Sequence, residues 1–126
     1  MIVRRLAFVS VWLCILAAPA SAQVAFDGNK ILHWCESDRF TLSTFVMGSL
    51  DASEHAWRVM NSLDPKEDSS LRTAQRMVKG YCAPGEATVP QVIEVFCAYV
   101  KSNPEVRAGR ASRLLRDSMV KKWPCP

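Results

Sequence analysis

Two groups of residues in this chain have types and spacings that can do chemistry: four cysteines, Cys35, Cys82, Cys97 and Cys125, and the cluster Asp51, Glu54 and His55. On a helix, Asp51 stands one turn from both Glu54 and His55, the spacing of an acid-base pair. Nothing completes a catalytic set around it. No nucleophile stands at a turn beside the cluster and no second histidine is close, so it reads as a solvated helix face. His33 and Cys35 are two positions apart, which sends them to different faces of a helix and argues against a shared ligand site; His33 reads as a surface histidine. The cysteines lack Cys-x-x-Cys spacing, which argues against zinc. No metal, no cofactor and no enzymatic activity is expected.

The cysteines make sense with the start of the chain. Arg4 and Arg5, an apolar run over residues 6–18, and Pro19-Ala20-Ser21-Ala22 have the three regions of a secretory signal peptide, with cleavage expected after Ala22. The run is shorter than the roughly 20 apolar residues needed to span a bilayer. Cys14 leaves with the leader. Residues 23–126 then form one small domain of 104 residues with an even number of cysteines in an oxidising compartment, which reads as two disulfides. Four cysteines permit three pairings, and spacing does not choose among them. Without Arg4 and Arg5, fourteen basic residues face twelve acidic ones. So slight an excess does not suggest nucleic-acid binding. No later run is long and apolar enough for a membrane.

Positioning these residues falls to helices. Asn29 is expected to cap a short helix with Ile31, Leu32, Trp34 and Cys35 on its apolar side. Ser37-Asp38 opens the longest periodic stretch, in which Phe40, Phe45, Val46, Leu50, Ala56, Trp57, Val59, Met60 and Leu63 recur at helical steps. Gly48 inside it predicts a close packing contact with a neighbouring helix. Asp64-Pro65 stops the helix, and residues 66–70 are a charged connection. Residues 71–77 predict one or two helical turns, closed by Gly80 in a positive-φ stop.

The last third is specified most sharply. Thr88-Val89-Pro90-Gln91 has the signature of a capping box with proline in the first turn, and the helix it starts runs to Asn103-Pro104. Its face is Ile93, Phe96 and Val100, with Cys97 beside it. After a turn at Pro104 and Gly109, a final helix has Ala111, Leu114, Leu115, Ser118 and Met119 inward, and Arg107, Arg110, Arg113 and Lys121 outward. The fold class is all-α, a bundle of about four to five helices with two disulfides.

Tyr81-Cys82-Ala83-Pro84, Gly85, Thr88, Gln91-Val92, Tyr99-Val100, Asn103-Pro104-Glu105, Ala111, Leu114-Leu115 and Trp123-Pro124-Cys125 resemble, in order and spacing, the Rap1a/Tai family of immunity proteins. Upstream, Phe45-Val46-Met47-Gly48 and Leu50-Asp51-Ala52 look like that family's Tyr-x-x-Gly-x-x-Asp-Ala helix. The family commonly has a cysteine near where Leu42 stands; this chain has Cys97 instead, and Phe45 replaces the usual tyrosine. The resemblance therefore implies Cys82 with Cys125 as the family-like clasp, and Cys35 with Cys97 as a rewired second bridge.

The resemblance further implies a periplasmic helical protein, often a homodimer, that binds and occludes a peptidoglycan amidase delivered by a type VI secretion system. The expected contact surfaces are the connection at Asp64, Lys66, Glu67 and Asp68 and the basic face at Arg107, Arg110 and Arg113. A different class, a small periplasmic chaperone or envelope-stress protein with no toxin partner, shares the same helical, disulfide-bonded outline.

Overall fold

Five α-helices make up the computed structural model, which describes residues 26–63 and 69–126: α1 (Gly28–Ser37), α2 (Arg39–Ser62), α3 (Ser69–Val78), α4 (Val89–Ser102) and α5 (Ala111–Lys122), with a 3-10 turn at Pro104–Val106. No strand occurs among the described residues; the class is all-α, with two disulfides.

Helix α3 packs on α2, and helices α1, α2 and α5 gather around α4. Its start is locally determined: the Thr88 hydroxyl accepts from the Gln91 amide at 3.4 Å while the Gln91 side chain accepts from the Thr88 amide at 2.8 Å, completing the capping box. Helix α4 packs on α1, α2 and α5 and buries Val92, Ile93, Phe96, Cys97 and Val100. Ile31 and Trp34 of α1, Leu42 and Val46 of α2, and Leu114, Leu115 and Met119 of α5 share that core. Full burial of such side chains contributes about 1.5–3 kcal/mol each, more than the ~1 kcal/mol of a helix cap, so packing on α4 dominates the fold's stability.

Helix α1 is capped by Asp27, whose carboxylate accepts from the Lys30 amide at 2.9 Å, rather than by Asn29. The reason is non-local. Asp27 pairs with Arg110 in an antiparallel bridge, the Gly28 amide donates to the Arg107 carbonyl at 2.7 Å, and the Ala111 amide donates to the Phe26 carbonyl at 3.0 Å. The backbones come so close that a Cβ on Gly28 would lie 2.7 Å from the Arg107 Cα.

Helix α2 is capped by Asp38, whose hydrogen bonds with Thr41 hold its carboxyl below the usual range. At 24 residues it outruns the body it packs on, and only Leu42 and Val46 are buried. Periodicity places Phe40, Val59 and Leu63 with the inner residues, yet all three are exposed, Phe40 at 83%. Gly48 also faces open space, with nothing among the described residues within 4 Å of where a Cβ would stand, so a close contact with a neighbouring described helix is not its reason. Helix α3 is ten residues long instead of one or two turns, held to the end of α2 by Gln75 donating to the Met60 carbonyl at 2.9 Å. It closes without a positive-φ glycine.

The disulfides pair Cys35 with Cys97 and Cys82 with Cys125. The first joins α1 to α4. The second ties the turn before α4 to the chain end, beside a Tyr81–Pro124 bridge and a Cys82 amide donating to the Trp123 carbonyl at 2.8 Å.

Candidate functional site

Of the Asp51, Glu54 and His55 cluster, Glu54 anchors an ion-pair network on the surface of α2. The Glu54 carboxylate lies 3.1 Å from Lys79 Nζ and 3.3 Å from Arg58 Nε, and these cations, Lys79 foremost, hold its pKa below the usual glutamate value. It is an ion-pair partner locked in the charged state, unsuited to giving a proton near neutral pH. Asp51 and His55 are exposed beside it. Every cysteine among the described residues is disulfide-bonded, and no group of three or more His, Cys, Asp or Glu among them could hold a metal ion. No helix among the described residues is long and apolar enough to cross a membrane.

Of the residues expected to meet a partner, Asp64, Lys66, Glu67 and Asp68 lie outside the described residues. Arg107 is half-buried and turned inward: Nε donates to the Val100 carbonyl at 2.8 Å and Nη2 to the Lys101 carbonyl at 2.7 Å. It satisfies the end of α4 and does not belong to an exposed basic stripe. Arg110 and Arg113 are exposed, and both line a groove of about 750 Å³ between α2 and α5.

That groove follows from the small residues on its α2 side. Ser49, Ala52, Ser53 and Ala56 recur at steps of three and four and present no long side chain to fill the space, while α2 and α5 each lean on α4. The opposite wall is Arg110, Ser112, Arg113 and Arg116 of α5 and its cap, and Leu50, Val78, Tyr81, Leu115 and Met119 supply apolar surface. Among the described residues that line it are three arginines and no carboxylate. Asp117, outside the lining, lies 3.7 Å from Arg113 and 3.5 Å from Arg116. Burial pushes the Tyr81 phenol above its ordinary pKa, with Glu54 adding to the shift and Lys79 opposing it, so Tyr81 stays a neutral hydrogen-bond donor. Such a surface can bind and orient, and it carries no reacting group.

Sequence reasoning missed Arg116, Tyr81 and the small-residue wall of α2. The signals were present as Arg110, Arg113 and Arg116 at steps of three and as Ser49, Ala52, Ser53 and Ala56 on one helix face.

No curated protein and no solved structure matches the chain. A family model described as Rap1a immunity proteins matches residues 27–125, spanning all five helices and all four bridged cysteines, and the chain belongs to that family.

Proposed function

We propose that this protein is exported, with its leader cleaved after Ala22, and acts in the periplasm as an immunity protein that binds and occludes a peptidoglycan amidase delivered by a type VI secretion system. The family match carries the reading: it implies immunity against a secreted effector protein. Physical support comes from the scaffold. Two disulfides fit an oxidising compartment, and they pin α1 to α4 and the chain end to the turn before α4, so a surface presented on this body loses little entropy on binding. The contact surface we assign is the groove wall at Arg110 and Arg113 together with the connection at Asp64, Lys66, Glu67 and Asp68. A homodimer is the form in which we expect it to work.

The test is a pull-down of the oxidised protein against the type VI amidases of its own organism, followed by a peptidoglycan-cleavage assay with the best binder. Tight binding that stops cleavage is the expected result; absence of any binder sinks the reading. The exposed Phe40, Met47 and Val59 on α2 and Leu63 at its C-terminal cap favour a second reading, a small chaperone, because apolar side chains left in water suit unfolded clients. Suppressed aggregation of several unrelated clients, with no amidase bound, is its distinguishing outcome.

A further inference from the structure

We propose that the Cys82–Cys125 disulfide is a redox latch on the effector-binding surface: closed, it holds Tyr81 in the wall of the α2–α5 groove, and opened by a dithiol it frees that corner and weakens effector binding. This rests on the immunity reading above. The two bridges are placed for different work. Cys35–Cys97 joins two helices, and Cys97 belongs to the core cluster. Cys82 and Cys125 are both exposed, so an attacking thiolate has access to either sulfur.

Opening the latch acts locally. Beside it, Tyr81 and Pro124 form an isolated antiparallel bridge, and the Cys82 amide donates to the Trp123 carbonyl at 2.8 Å. Backbone contacts of this kind at an exposed corner open by local fraying once the covalent tie is gone. Helix α5 stays docked, because Leu114, Leu115 and Met119 are buried in the shared core independently of the bridge. The change reaches two surfaces. Tyr81 lines the α2–α5 groove beside Leu50 and Met119, and Trp123 lines a second groove of about 480 Å³ with Pro84 and Pro90.

The chemistry is thiol–disulfide exchange. A thiolate of the reductant attacks one Sγ, the Cys82–Cys125 S–S bond breaks as a mixed disulfide forms, and the freed thiolate takes a proton. The reductant's second thiol then displaces the mixed disulfide, so the reductant leaves as a disulfide and its electron pair and two protons end on Cys82 and Cys125 as thiols. A preference of the effector for the closed form of about tenfold requires, by linkage, that bound effector disfavour reduction by the same factor, which is about 30 mV for this two-electron couple.

The first test needs no effector. The oxidised protein is equilibrated in graded mixtures of oxidised and reduced dithiothreitol, then followed by amide NMR and by alkylation with peptide mapping. A step confined to Cys82 and Cys125 is expected, with Cys35–Cys97 intact, the Phe96 and Leu115 amides unmoved, and shifts at Tyr81, Cys82 and Trp123. Joint reduction of both bridges, loss of the core signals in that step, or an unmoved Tyr81 overturns the proposal. The permanently open variant Cys82→Ser, Cys125→Ser should reproduce the shifts; should it fail to fold, wild-type protein reduced and alkylated at those two cysteines carries the comparison, and its unfolding overturns the proposal too. The second test measures amidase binding by the closed and open forms. The open form should bind about tenfold more weakly, and the complex should need a potential about 30 mV lower for reduction. Equal affinity of the two forms removes the latch and leaves the immunity reading standing. No amidase bound by either form removes the immunity reading and the latch's role with it, even where the redox-dependent shifts are present.

Discussion

Arg107 reaches back across the 3-10 turn to the Val100 carbonyl, its Nε donating at 2.8 Å, and so closes the C-terminal end of α4 with a side chain seven residues downstream. A second hydrogen bond, to Lys101, makes the guanidinium a two-pronged cap. Arg107→Ala leaves both carbonyls without that partner and should cost about 1.5–3 kcal/mol in urea unfolding, with effector affinity measured on the folded variant unchanged. Arg107→Lys, which keeps the charge but not the fork, should recover only part of the stability. Full stability in the alanine variant sinks this account.

Two glycines make opposite predictions. A methyl on Gly28 meets the Arg107 Cα at 2.7 Å and the Leu114 Cδ1 at 2.8 Å, and the backbone on one side cannot yield cheaply. Gly28→Ala should therefore lose about 1–3 kcal/mol despite better helix propensity. Gly48 faces nothing within 4 Å, so Gly48→Ala should gain about 0.5–1 kcal/mol. Thermal melts of the two variants should move in opposite directions.

What could be read in advance divides along the line between local and non-local causes. Thr88 and Gln91 needed only each other, so the start of α4 was legible; Ala111, Leu114, Leu115, Ser118 and Met119 share one face of one helix, and all five are buried. Asp27 was hidden because its role depends on Arg110, more than eighty residues away in sequence. Arg107 looked like surface charge because helical spacing says nothing about a side chain folding back over a turn. On α2, periodicity listed Phe40, Val59 and Leu63 and passed over Leu42, which has no exposed surface. A repeating pattern identifies a face but not how far the neighbouring helices extend along it. The groove was illegible for the same reason, since it is made by two helices that lean on a third.

The two disulfides should differ in how they respond to reductant. Cys82 and Cys125 are exposed, whereas Cys97 is only 9% exposed and belongs to the core cluster. A small thiol should therefore reach Cys82–Cys125 first, and alkylation followed by peptide mapping should find those two labelled before Cys35 and Cys97. Replacing Cys82 and Cys125 by serine opens a 43-residue separation and should cost about 4 kcal/mol by the chain-entropy model, while leaving the Cys35–Cys97 bridge oxidised. Simultaneous labelling of all four cysteines contradicts the assignment of the exposed clasp.

Glu54 supplies the pH dependence. Its carboxylate is held below the ordinary value of 4.5 by Lys79 and then Arg58, so the folded state binds its proton less readily than the unfolded chain does. For a carboxyl with a depressed folded pKa, the stabilisation is fully present above the unfolded value and is lost as pH falls through the folded one. The relevant window thus lies below about pH 4.5, and the effect stays small because the ion pairs are solvent-exposed and screened by salt. Glu54→Gln should melt slightly below wild type at neutral pH, and the gap should close as the pH is lowered through that window. Added salt should narrow it as well. A gap that persists undiminished in acid would mean that Glu54 acts through packing and not through its charge.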